Sequence, residues 1–260
     1  MKKYIKELVI LIIRILGWIR HSFDGNRICV VLCYHSINRG QYDYAVSTDN
    51  FRTQLEILIK RDFQFITAKM LENYFYHNEK MPFKTALLTF DDGYQDFVEN
   101  ALPLLKERKA FAVIFVHTDR KSDGLANTLA IMPWPTLRDI QSAFIDIQSH
   151  SHVHPDLKTL TEADLERDFK MVATEFGKYF GRSPFYLAYP GGKFNQTVID
   201  KAKHFGYKLG FTIDRGSIGQ HTDPFRIPRF CLSRDTSLNE FKMRISLAGN
   251  WYEKLIQIFK

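Results

Sequence analysis

The sequence predicts an α/β fold built on one parallel sheet, closed into a barrel or a distorted barrel. Two observations carry this. From about residue 27 onward, apolar runs of strand length alternate with amphipathic stretches of helical length. About seven or eight such units follow one another, with no linker, internal repeat or low-complexity tract between them. The bulk properties agree: the chain has 260 residues, of which 45% are hydrophobic and 25% charged, a globular composition with room for one large domain.

The elements follow in order. "RICVVLCYH" reads as a fully buried strand. "TDNFRTQLEILIKRD" reads as a helix capped by Thr48 or Asp49, with Phe51, Leu55, Leu58 and Ile59 on one face. "FQFI" is a short strand, and Thr67 opens a helix over "TAKMLENYFYH". "TALLTF" is a strand that stops at two aspartates. "YQDFVENALPLLKERK" is a helix that Pro103 is placed to kink. "FAVIFV" is the next strand, and a polar loop follows it. "WPTLRDIQSA" is a helix with Pro135 in its first turn, and "FIDIQS" is a strand running into histidines. Thr161-x-x-Asp164 and Gly181 bracket a long helix. "FYLAYP", "NQTVIDKAKHFG" and "YKLGFTI" read as strand, helix and strand. A strand near "RIPRFCL" and a helix over 237–248 finish the chain.

The N-terminal stretch "MKKYIKELVILIIRILGWIRHSF" stands apart. Lys2, Lys3 and Lys6 precede an apolar run over 8–19 that only Arg14 and Gly17 interrupt. The run is shorter than the roughly 20 residues a spanning helix needs. No alanine occurs before Ala45, so a small-residue cleavage site is missing. The expectation is an uncleaved helix over 1–24 on or shallowly in a membrane, anchored by Trp18 and Arg20. The alternative is a helix packed on its own domain or on another subunit. Residues 25–260 form the second part. The net charge of +7 suits anionic membrane surfaces or acidic glycans. No basic–aromatic array of a single-strand binder is present, so no nucleic-acid partner is expected. Of three cysteines, Cys29 and Cys33 share one strand face and read as core residues rather than a disulfide framework. The sequence sets no oligomeric state.

Three strand ends carry chemistry. In "LLTFDDGYQDF", Asp91 and Asp92 sit where a buried strand ends. Asp-Gly is an ordinary turn dipeptide, yet strand C-termini are also where α/β folds keep catalytic groups. In "IDIQSHSHVHPDL", His150, His152 and His154 follow a strand. A helical turn would aim His150 and His154 at one point and send His152 elsewhere, to the backbone or to solvent. The His-Glu-x-x-His motif is absent because Ser151 follows His150. A third ligand and a base must then come from elsewhere. Asp92 can complete a two-histidine, one-carboxylate site, and Asp91 can take a proton from water. In "FYLAYPGGKFN", the Pro-Gly-Gly loop exposes N–H groups suited to an oxyanion, or is an ordinary turn.

"TFDDG", "HSHVHP" and "AYPGG", in that order and spacing, resemble the polysaccharide deacetylases of carbohydrate esterase family four, which share the nodulation chitooligosaccharide deacetylase homology domain. "CYHSI", "AVSTDNFRTQLEIL" and "WPTLRDI" look like the poly-N-acetylglucosamine deacetylase branch. The resemblance covers about residues 28–245. It implies a deformed (β/α) barrel with about seven parallel strands. It implies a divalent metal, zinc first, with cobalt, nickel or iron as alternatives, held by Asp92, His150 and His154. Asp91 matches the catalytic base. In this branch the acid histidine is expected from the N-terminal strand, which makes His35 the match or else a buried structural histidine, and the absence of any histidine after "RIPRFCL" supports the match. Tyr189, Pro190 and Gly191 match the substrate and oxyanion side, with Trp134 beside them. The family's base-orienting arginine is missing from "LAYPGG", and Arg229 in "IPRF" is the substitute. A bulky residue usually follows the third motif's proline, whereas Gly191 stands here.

The implied function is removal of acetyl groups from an N-acetylated glycan or lipid-linked sugar by metal-bound water. The implied location is the bacterial cell envelope at the inner membrane. Three rival readings stand beside it. A non-haem iron oxygenase also uses two histidines and a carboxylate, but on β-sandwich cores. An amidohydrolase of a small amide would use the same barrel. A membrane-associated glycan-binding pseudoenzyme would have lost one of these site residues.

Overall fold

The computed structural model describes residues 27–40, 42–119, 129–246 and 249–250. The predicted helix over 1–24 lies outside the described residues. Among the described residues no helix is long and apolar enough to cross a membrane.

The strands are β1 (Ile28–Tyr34), β2 (Gln64–Phe65), β3 (Lys84–Phe90), β4 (Ala112–Val116), β5 (Ile145–Ser149), β6 (Tyr186–Ala188), β7 (Leu209–Phe211) and β8 (Phe230–Cys231). Seven run side by side in the order β7-β6-β5-β4-β3-β1-β8, and β2 is a spur on the first half of β3. Every pairing is parallel. The helices are α1 (Thr48–Lys60), α2 (Ala68–His77), α3 (Leu102–Glu107), α4 (Trp134–Ile140), α5 (Glu162–Phe180), α6 (Gln196–His204) and α7 (Leu238–Arg244).

Both faces of the sheet are buried, which is why its strands read as continuous apolar runs. Alternate residues serve two cores. Cys29, Val31, Leu87, Val113, Phe115, Leu209 and Phe211 fill the concave side. Val30, Leu32, Ala86, Leu88, Phe90, Ile114 and Val116 pack outward against Phe51, Leu55 and Leu58 of α1 and against other helices.

Closure of the barrel is irregular. β7 and β1 do not pair. The segment 227–231 bridges them instead: Ile227 pairs with Phe211, and Phe230 and Cys231 pair with Leu32 and Cys33.

Three local expectations are corrected. The cap of α1 is Ser47, whose Oγ accepts from Asn50 N at 3.2 Å. The helix thus starts one residue early and leaves Asp49 in its first turn, where the helix dipole favours an anion. Ile59 is exposed, and Gln54 takes the inward place because its Oε1 accepts from Tyr34 Oη at 2.9 Å. The predicted helix around Pro103 is instead two helices of different winding. Residues Phe97–Ala101 wind as a π-helix before α3, and Pro103, which has no N–H, sits in the first turn of α3.

Candidate active site

Asp91 leaves the end of β3 with its N–H donating to Tyr34 O, 2.9 Å away. Asp92 and Gly93 then both adopt left-handed backbone, with φ of 68° and 70°. Asp tolerates that region and Gly is at ease in it. The turn reading and the functional reading of "DDG" are therefore one fact. The bend is what lets two consecutive carboxylates face the same end of the barrel.

Asp91 is forked by Arg229, with Nη1 to Oδ1 at 2.7 Å and Nη2 to Oδ2 at 2.8 Å. Arg229 is 0% exposed. Its Nε donates to Thr212 O at 2.8 Å and its Nη1 to Thr89 Oγ1 at 3.2 Å. The side chain thus reaches inward from the closing segment 227–231 and ties the end of β7 to β3. Burial opposes the charge on Asp91, yet Arg229 and His150 hold the carboxyl well below its ordinary value.

Asp92 Oδ1 stands 3.6 Å from His150 Nε2 and 3.7 Å from His154 Nε2. One ligand atom from each residue lies within 4.8 Å of the others. His150 Nδ1 donates to Ala188 O, 2.7 Å away, which makes Nε2 the acceptor nitrogen of the neutral ring. Burial lowers the pKa of His150 to about 4, so the ring is neutral at neutral pH. A neutral imidazole nitrogen and a carboxylate oxygen facing each other beyond good hydrogen-bond length suit a cation between them. The donor set thus fits a divalent metal. His150→Ala removes one of the three candidate ligand atoms. It is expected to weaken metal retention by at least ~10–100-fold. Elemental analysis after dialysis against a chelator checks this, and a stoichiometric metal in the variant would refute the assignment.

The turn over 150–154 is not helical, contrary to expectation. Ser151 and His154 take left-handed backbone, with φ of 70° and 55°. Ser149 Oγ accepts from Ser151 N, and Ser151 Oγ from His154 N. These bonds fold the chain back so that the rings of His150 and His154 lie 4.8 Å apart. His152 points away: its Nδ1 bonds Thr118 Oγ1 at 2.7 Å. Its backbone N–H donates to Asp168 on α5.

His35 joins the cluster from the end of β1. It lies within ligand-atom distance of Asp91 and Cys33, with Tyr44 packed on its ring at 4.9 Å. Pro190 and Gly191 form the turn after β6, whose Ala188 carbonyl holds His150. The N–H of Tyr189 goes to Phe211 O, and Pro190 has none. Gly191 is therefore the position through which this loop can face a substrate with a backbone donor.

Two expected site side chains lie elsewhere. Tyr189 is buried, stacks on Phe194 and donates its hydroxyl to Phe225 O at 3.0 Å. A Cβ on Gly210 would collide with that hydroxyl, so glycine there is a packing requirement. Trp134 is 7% exposed and stacks on Tyr179 at 4.5 Å, edge-on to Phe176 and Phe180. Its indole packs α4 on α5 and is not part of the cluster.

Sequence reasoning also missed residues. Asp168 braces the histidine turn from the apolar stripe Leu165, Phe169, Val172, Phe176 of α5, where a carboxylate is out of place. That mismatch was the available signal. Tyr42, Tyr44 and Tyr94 form an aromatic cluster beside His35. Burial and the nearby Asp92 carboxylate push the Tyr42 phenol up to about 12.

A family model for polysaccharide deacetylases matches residues 78–210. The poly-beta-1,6-N-acetyl-D-glucosamine N-deacetylase of Staphylococcus aureus is 26% identical over 202 residues, covering 74% of this chain and 69% of that protein. The Streptococcus pyogenes deacetylase PplD, solved in complex with acetate, shares the fold. Its TM-score is 0.75 at 24% identity, over 85% of this chain and 99% of that one. IcaB from Ammonifex degensii also has a TM-score of 0.75 at 24% identity, over 86% and 98%. With the aspartate pair, the histidine turn and the Pro-Gly-Gly loop all at one end of a single sheet, the chain belongs to the polysaccharide deacetylase family.

Proposed function

We propose that this protein is a hydrolase of carbon–nitrogen bonds that removes acetyl groups from N-acetylated sugars of a glycan. The observation that carries the reading is Asp91, a buried carboxylate forked by Arg229 and set beside the Asp92–His150–His154 cluster. Family membership and the named activity of the Staphylococcus aureus relative support it.

Asp92, His150 and His154 would hold the metal, and two imidazoles with a carboxylate favour zinc. Bound there, it would lower the pKa of a water and polarise the acetamide carbonyl. Asp91, kept anionic by Arg229, accepts the water's proton. The Gly191 N–H is the loop's donor toward the developing oxyanion. His35, within reach of the same carboxylate, protonates the departing sugar amine. Tyr44 is 46% exposed and, with Tyr42, offers an open aromatic face beside His35. Such a face suits a pyranose of an extended glycan better than a small amide held in a closed pocket.

The test is an acetate-release screen with metal-reconstituted protein over an N-acetylated oligosaccharide, a lipid-linked acetylated sugar, a nucleotide sugar and a small N-acetyl amide. The expected result is acetate together with an equal amount of new primary amine from a saccharide substrate. Release from the small amide alone, or from none, would overturn the proposal.

A further inference from the structure

Cys33 closes the inward row of β1, and its surroundings are not those of an ordinary core thiol. Its Sγ lies 3.5 Å from Asp91 Oδ2. Its register partner across the strand pair is Cys231 on β8, and the two thiols interact. His35 completes the group. One ring nitrogen of His35, the Cys33 Sγ and one Asp91 oxygen lie within 4.8 Å of one another. The Nδ1 of His35 is buried with no hydrogen-bond partner. A ring that reaches this group and carries a buried nitrogen without a partner leaves room for a ligand. None of the three residues belongs to the Asp92–His150–His154 cluster.

We propose that Cys33, His35 and Asp91 form a second cation site, selective for a soft thiophilic cation such as cadmium, copper(I) or excess zinc, and that filling it switches the enzyme off. Sulfur and imidazole donors select such ions, whereas magnesium and calcium demand oxygen ligands. As the sulfur–metal bond forms, the Cys33 proton leaves to solvent and no electrons are exchanged. Arg229 brings a positive charge against the site. The charges nevertheless cancel when the second thiol ionises: a dication and Arg229 face Asp91 and the thiolates of Cys33 and Cys231. The inhibition rests on the roles given above to Asp91 and His35. A cation bound here occupies both of the groups that move protons. The binding itself does not depend on those roles.

The test uses full-length protein loaded with one equivalent of zinc and titrated with cadmium. Three quantities are followed: the ultraviolet thiolate-to-cadmium charge-transfer band, zinc content and turnover. The expected result is one further equivalent of cadmium, with the band rising, zinc retained and turnover falling in step. Cys33→Ser should bind cadmium at least ~10-fold more weakly, with the band cut to no more than the share of Cys231. His35→Asn should weaken binding by a similar factor yet keep the band at saturation, which an adventitious thiol site would not show. Cadmium bound only by displacing zinc, or a band of unchanged affinity in Cys33→Ser, would overturn the site. The expected binding without loss of turnover would overturn the inhibition and, with it, the roles of Asp91 and His35.

Discussion

Asp91→Asn is expected to lower turnover by about 10²–10⁴-fold, the usual worth of a general base, while metal content stays near that of the wild type. Asparagine has nearly the shape of aspartate but cannot take a proton from water. It also leaves the buried Arg229 guanidinium without a counter-charge. Breaking one side of a buried ion pair costs about 3–5 kcal/mol. A fall in activity in this variant alone could therefore be a fall in folded protein. The double variant Asp91→Asn/Arg229→Met separates the two effects. Removing both charges should restore most of the stability lost in the single variant, since the two sites touch and their effects do not add. Activity should not return. Thermal unfolding, elemental analysis and acetate release, measured on all three proteins, check this. Loss of metal in Asp91→Asn would exchange the roles of the two aspartates. Recovery of turnover in the double variant would show that Asp91 matters only as a partner for arginine.

The sequence made the strand ends legible, and with them most of the cluster. Asp91, Asp92, His150 and His35 each sit where an apolar run stops, so a break in hydrophobic pattern marked each position. The fold class followed from the same alternation, because a parallel sheet covered on both faces shows in its sequence as uninterrupted apolar strands. Arg229 was named only because the family resemblance calls for a base-orienting arginine that "LAYPGG" lacks, and its placement could not be read. It depends on the irregular segment 227–231 closing the barrel, and it meets Asp91 across 138 residues of chain. The side chains of Tyr189 and Trp134 were misplaced for a related reason. A motif marks where backbone runs, whereas an aromatic beside it turns toward whichever neighbour can bury it. For Tyr189 that neighbour is Phe194, and for Trp134 it is Tyr179. The turn over 150–154 was misread because i,i+4 spacing suggests a helix. Ser149 and Ser151 instead offer the backbone hydroxyl partners that favour a tighter fold.

Arg229→Met is expected to destabilise the protein by about 3–5 kcal/mol, because it strands a buried carboxylate where a forked pair had stood. Methionine fills much of the same volume without charge, so the loss is electrostatic rather than a cavity. The effect on pH dependence distinguishes a positioning residue from a merely structural one. In the wild type, Asp91 is held below its ordinary value, so its stabilising charge is present above about pH 4 and is lost only as pH falls through the lower, folded value. Without Arg229, the largest opposing influence is burial, which raises the carboxyl's pKa. The acidic limb of the pH–rate profile should therefore move to higher pH. Near neutrality the stability deficit should be largest, and it should shrink as pH falls and the stranded carboxylate takes up a proton. Arg229→Lys keeps a charge but loses the fork and two of its bonds, so it should recover part of the stability and less of the turnover. The measurements are unfolding midpoints and turnover from about pH 4 to 8, with both variants beside the wild type. An Arg229→Met protein whose acidic limb stays in place while stability falls would show that Arg229 only ties the end of β7 to β3. The base would then owe its charge to His150 and its other neighbours.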